Sequence, residues 1–107
     1  MKLMLIIIAN EDANSVSKVL LNEKYFVTKL STTGGLLRNG STTLLVGTED
    51  DRVDRALEIV SEFAKSRKQK VPAIQPDEFG MFSTLPFEVQ VGGATIFVLN
   101  IDSFYKL

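Results

Sequence analysis

Nowhere among its 107 residues does the chain carry a cysteine, a histidine or a tryptophan. Without cysteine there is no disulfide, no thiolate metal site and no cysteine nucleophile. Without histidine there is no histidine general base, no Ser-His-Asp triad and no His-ligated metal. Asp, Glu, Lys, Tyr, Ser and Thr remain, a thin set for an enzyme, and nothing in the sequence pairs a nucleophile with a base. The expectation is a protein that catalyses nothing and holds neither cofactor nor metal. An excess of charge of one sign is also missing: 12 Lys and Arg face 13 Asp and Glu, a net charge of −1. That balance suggests neither a nucleic-acid partner nor an acidic tail. No apolar run approaches the roughly 20 residues needed to span a membrane. Met1 to Ala9 is too short for a signal peptide and lacks its small-residue cleavage site. The reading is a cytoplasmic protein with no membrane partner.

What the chain does have is apolar residues, 45% of the total. The length allows a single domain over residues 1–107 with one core and no staples. Leu3 to Ala9 is an unbroken apolar run of strand length. Asn10 or Asp12 caps a following helix whose apolar positions are Ala13, Val16, Val19 and Leu20, ending near Asn22 to Lys24. Tyr25 to Leu30 is rich in β-branched and aromatic residues and reads as a strand, as does Ser41 to Gly47. A second helix begins after Thr48 with Glu49, Asp50 and Asp51 in its first turn. Its stripe is Val53, Ala56, Leu57, Val60, Phe63 and Ala64, and Lys65, Arg67, Lys68 and Lys70 close it in the charge order a helix dipole favours. From Val71 to Pro86 the prolines and Gly80 predict irregular chain. Phe87 to Val91 and Ala94 to Ile101 read as a β-hairpin on the Gly92-Gly93 turn.

The order β-α-β-β-α-loop-β-β is the ferredoxin-like plan with an added strand: an α+β two-layer sandwich with two helices on one face of an antiparallel sheet. Leu3 to Ala9 and Ile96 to Leu99 do not alternate with polar residues, so both faces of those strands call for burial. Two helices cover one face. Another copy of the same sheet is the simplest cover for the other, which predicts a homo-oligomer. The alternative cover is the 71–86 segment folded back on the domain.

The segment Thr28 to Thr43 places a glycine pair between two strands among five threonines and two serines. Successive backbone N–H groups there can form an anion-binding nest, with Lys29 and Arg38 to neutralise a phosphate. Its plain alternative is a Gly-rich connection with polar strand edges. Thr-Lys-Leu-x-Thr-Thr-Gly-Gly (Thr28 to Gly35), Leu37-Arg38-x-Gly40 and Thr42-Thr43 closely resemble the PII-like cyclic di-AMP receptor family, small bacterial signalling proteins. Asp51-Arg52-Val53-Asp54 and Val91 to Val98 extend the resemblance over nearly the whole chain. The resemblance implies a PII-like, ferredoxin-like subunit in a homotrimer, with one nucleotide pocket at each subunit interface. It also implies no catalysis, and loops that relay binding to a protein partner whose identity the sequence does not give.

Carried over by residue, the resemblance implies a pocket built from Thr28, the backbone of Gly35, Leu36 and Leu37, Ser41 and Gly47. Thr28 and Ser41 can hydrogen-bond a base edge or a phosphate, amides after the glycine pair can reach phosphate oxygens, and Gly47 leaves room for a base. Many relatives have asparagine where this chain has Lys24, arginine where it has Phe26, phenylalanine where it has Leu36 and asparagine where it has Ser41. These changes remove a cationic fork and an aromatic face while adding the Lys24 cation. Lost contacts at about 1–2 kcal/mol each amount to several decades of affinity. Two functions therefore follow: a receptor for cyclic di-AMP or a related adenine nucleotide, or a trimeric interaction module that has lost or weakened that binding.

Three further segments have plain readings. Glu49, Asp50, Asp51 and Asp54 could hold a hard cation, but they suit a helix N-terminus with Arg52 and Arg55 interleaved to solvate them. The basic cluster from Lys65 to Lys70 is a solvated helix end rather than a nucleic-acid footprint. The segment Pro76 to Pro86 carries Phe79, Met81, Phe82 and Leu85. It is either tucked onto the core or a segment that responds to ligand or partner.

Overall fold

The computed structural model describes residues 1–30, 40–76 and 82–107, with backbone alone over 68–76 and 82–91. Six strands and two helices follow in the order β1 (Lys2–Ala9), α1 (Asn10–Asn22), β2 (Phe26–Leu30), β3 (Ser41–Thr48), α2 (Val53–Phe63), β4 (Arg67–Pro76), β5 (Phe82–Val91) and β6 (Ala94–Asn100). β1, β2, β3 and β6 form an antiparallel sheet in the order β2-β3-β1-β6. Among the described residues β4 and β5 pair only with each other.

The apolar run of β1 earns its central place by offering a buried side chain at every second residue. Met4, Ile6 and Ile8 are fully buried, opposite Val46, Leu44 and Thr42 of β3. Ala13, Val16 and Leu20 of α1 and Ala56, Ile59 and Val60 of α2 close over them. Each buried Val, Leu, Ile or Met side chain contributes roughly 1.5–3 kcal/mol by leaving water. Both helices lie on this face, as the ferredoxin-like plan requires.

The opposite face shows what the two-sided apolar pattern of β1 is for. Leu3, Leu5 and Ile7 are only half-buried there. Register aligns Leu3 with Gly47 and Leu99, and Leu5 with Leu45 and Phe97. Phe97 is 52% exposed and Leu99 45%. A strip of this composition is expensive to leave in water.

Several expectations are corrected. Within 71–86 the described residues, 71–76 and 82–86, are not irregular: they belong to β4 and β5, ten-residue strands running from Arg67↔Val91 to Pro76↔Phe82, while Phe79, Gly80 and Met81 lie outside the described residues. The prolines do not break them because of where they fall. Pro72 lies opposite Pro86 and Pro76 opposite Phe82, four residues on. A hydrogen-bonded pair needs both N–H groups, so Pro72↔Pro86 is a non-hydrogen-bonded pair, and alternation puts Pro76 in the same class. All three prolines thus lose only outward N–H groups, which blunts the outer edges of the hairpin without weakening its ladder.

The glycine pair is likewise not a hairpin turn. Gly92 and Gly93 both have positive φ, 79° and 80°. Yet β5 pairs with β4, and β6 pairs with β1 along seven residues. The buried centre of the sheet is the stronger template for β6. The Gly93 N–H instead donates to the Ala64 carbonyl.

The helix ends also differ. α1 begins at Asn10 after Ala9, with no side-chain cap, because Asn10 and Asp12 are engaged elsewhere. α2 starts at Val53 after a short 3-10 turn, Asp50–Arg52, and ends at Phe63, so Arg67 opens β4 rather than closing the helix.

Candidate functional site

Among the described residues β2 is an edge strand paired only with β3. Its register sets Phe26 opposite Gly47, Thr28 opposite Leu45 and Leu30 opposite Thr43. Directly opposed residues project to one side, so Phe26, Thr28 and Leu30 share the face left uncovered by the helices. Phe26 is 57% exposed and Thr28 is exposed. A Cβ added at Gly47 would meet nothing within 4 Å. Gly47 is therefore a bare step in the sheet, walled by Phe26 on one side and Leu3 on the other.

The turn that delivers β2 is braced from α2 and the 3-10 turn before it. Arg52 stacks over the Tyr25 ring at 4.0 Å and donates to the carbonyls of Glu23 and Lys24. The Tyr25 hydroxyl donates to the Arg52 carbonyl at 2.9 Å. Arg55 grips Glu23 with two hydrogen bonds of 2.9 and 2.7 Å and reaches Glu58 at 3.1 Å. The Arg55 guanidinium holds the Glu23 carboxyl below the usual glutamate range. Burial pushes the Tyr25 hydroxyl above the usual tyrosine range. Arg52 and Arg55 do not simply solvate the acids beside them in sequence, as expected; they fix the start of β2. Within that turn Lys24 adopts φ 70°, and its ammonium has no polar partner among the described residues.

The far end of β3 carries Ser41, opposite Ala9. Six residues separate it from Gly47, about 20 Å along a strand. Ser41 lines a cleft of about 580 Å³ with Asn10, Glu11, Gly40, Gly92, Gly93 and Thr95. Of the expected site residues, then, Phe26, Thr28 and Gly47 come together, with Lys24 in the turn before them. Ser41 occupies a separate cleft at the other end of the strand. Gly35, Leu36 and Leu37 lie outside the described residues, and so does the expected amide nest.

One residue near the site had no sequence signal. The Lys106 ammonium sits 5.1 Å from the centre of the Phe26 ring, within cation–π range. Eighty residues separate the two, and no local spacing links them. The last segment reaches this edge after the Ile101 N–H bonds to the Met1 carbonyl at 3.2 Å.

Comparison with known proteins adds to this geometry. The model of the cyclic-di-AMP receptor family matches residues 1–107, the whole chain. The crystal structure of a functionally unknown protein from Pediococcus pentosaceus ATCC 25745 is similar, with 37% identity and a TM-score of 0.75 over 99% of this chain and 96% of that one. No helix among the described residues is long and apolar enough to cross a membrane. With its sheet order, its two one-sided helices and this full-length match, the chain belongs to the cyclic-di-AMP receptor family, a family of binding and signalling proteins.

Proposed function

We propose that the protein is a non-enzymatic, cytoplasmic signal-transduction receptor that binds cyclic di-AMP or a related adenine nucleotide. Binding takes place at the interfaces of a homotrimer, and loop rearrangement relays it to a protein partner. The observation that carries the reading is the uncovered sheet face, where Thr28, Phe26 and bare Gly47 adjoin an apolar strip suited to a second copy of the same sheet. Thr28 supplies a hydroxyl to a base edge or phosphate, Gly47 admits the base to the strand, and Lys24 supplies a cation. Gly35, Leu36 and Leu37 supply amides to the phosphates, and Ser41 supplies a second hydroxyl from its separate cleft at the other end of β3. Each subunit alone presents half a pocket, so ligand and assembly are linked.

A ligand that binds only the folded state raises its stability, by about 2.7 kcal/mol at a concentration one hundred times its dissociation constant. Thermal unfolding with cyclic di-AMP, cyclic di-GMP and ATP tests the reading. Cyclic di-AMP is expected to raise the midpoint and cyclic di-GMP to leave it unchanged. No shift with any adenine nucleotide at millimolar concentration overturns it.

The Lys106 ammonium over Phe26 favours a second reading, in which the chain fills this edge with its own side chains. The trimer then presents its loops constitutively as an interaction module. Phe26→Arg separates the two, since it strengthens nucleotide binding only where a nucleotide pocket exists.

A further inference from the structure

We infer that the first turn of α1 couples the Ser41 cleft to the root of the β4–β5 hairpin. This rests on the proposed nucleotide site for its ligand, though not for its geometry.

Asn10 holds both neighbours of Ser41. Its backbone N–H donates to the Gly40 carbonyl at 2.6 Å, and its side-chain oxygen accepts from the buried Thr42 hydroxyl. Two residues later, Asp12 holds the hairpin. Its carboxylate, 6% exposed, receives Arg67 through Nη2 at 3.1 Å and Nη1 at 3.4 Å, and Arg67 is the first residue of β4. The other strand of the hairpin returns against the same guanidinium. A Cβ at Gly92 would lie 2.5 Å from Arg67 Nη1 and 2.6 Å from the Lys65 carbonyl. Beyond this latch and the Gly93 bond to Ala64, the hairpin strands ladder with each other alone among the described residues. A two-stranded unit of that kind takes its setting from its root.

The cleft lies between the two holds, lined by Asn10, Gly40 and Ser41 on one side and by Gly92 and Gly93 on the other. A helical turn is stiff, so displacing Asn10 displaces Asp12. A buried carboxylate cannot give up its cationic partner cheaply, and Arg67 is that of Asp12 among the described residues, so Arg67 follows. A group entering the cleft beside Ser41 thereby resets the hairpin, and the coupling is reciprocal.

Amide hydrogen exchange on the full-length protein tests this. Asn10→Ala is expected to raise exchange at the hairpin root, residues 68–71, at least threefold. Arg67→Gln is expected to do the same at residues 41–43. Exchange at residues 96–98 stays unchanged in both. Changes confined to each variant's own side overturn the coupling, and so does a rise everywhere, which signals general unfolding. Cyclic di-AMP provides the second arm. It changes exchange at 68–71 in the unmodified protein, while in Arg67→Gln calorimetric heat persists and the hairpin response is lost. Heat with an undiminished hairpin response in Arg67→Gln overturns the coupling. Absence of heat in the unmodified protein overturns the nucleotide reading alone, and the ligand-free variants still decide the coupling.

Discussion

Phe26 lies directly across the β2–β3 ladder from Gly47, with the Lys106 ammonium 5.1 Å from its ring. An aromatic face, a missing side chain and a cation thus meet at one edge of the uncovered sheet.

Gly47→Val tests the bare step. The added side chain enters open space, and φ there is not positive, so the fold should not suffer. A β-branched residue in a strand interior suits the backbone better than glycine. Thermal stability is expected to hold or rise, while affinity for cyclic di-AMP falls at least tenfold in a calorimetric titration. Equal losses of stability and affinity would mean that Gly47 serves the fold rather than the site.

Phe26→Arg and Leu36→Phe test the departures from the family pattern. A charged hydrogen bond contributes about 1.5–3 kcal/mol and a base stack about 1–3 kcal/mol. Each change is therefore expected to strengthen nucleotide binding about tenfold or more. Unchanged affinity in both would contradict the assignment of these positions to the ligand.

The two faces of β1 should respond differently to substitution. Ile6→Ala empties the centre of the core and should cost about 2–5 kcal/mol in chemical unfolding. Leu5→Lys and Phe97→Lys fall on the uncovered face and should leave each subunit folded while lowering the mass seen by sedimentation to that of one chain. Unchanged sedimentation in both lysine variants would place the subunit interface elsewhere.

The turn before β2 should be acid-sensitive. Glu23 is held below the usual glutamate range by Arg55, so it contributes stability at neutral pH. That contribution is complete above the ordinary glutamate value and disappears as the pH falls through the lowered folded-state value. Glu23→Gln should flatten the acid limb of the stability curve, and at this exposed pair the effect should be small. An acid limb identical to that of the unmodified protein would remove Glu23 from the account.

Much of the sheet was legible because burial imposes its own period. The unbroken run at β1 was readable as a strand calling for burial on both faces before any pairing was known; that one face lies in the core and the other is half-covered came from the structure. The β4–β5 hairpin was not legible, because Pro72, Pro76 and Pro86 break a strand only where their N–H groups point inward, and that is a matter of register. Gly92 and Gly93 marked the break between two strands but could not say that β6 would leave β5 for β1. In the site, Thr28 and Gly47 were named from the family resemblance, and the register then set both on the uncovered face. The holds made by Asn10, Asp12, Arg52 and Lys106 join residues 27 to 80 apart in sequence. No local spacing encodes such pairs.

The most direct test is a calorimetric titration of the folded oligomer with cyclic di-AMP. The account predicts saturable heat approaching one ligand per subunit, diminished by Gly47→Val. No heat at millimolar ligand from a folded oligomer would contradict it.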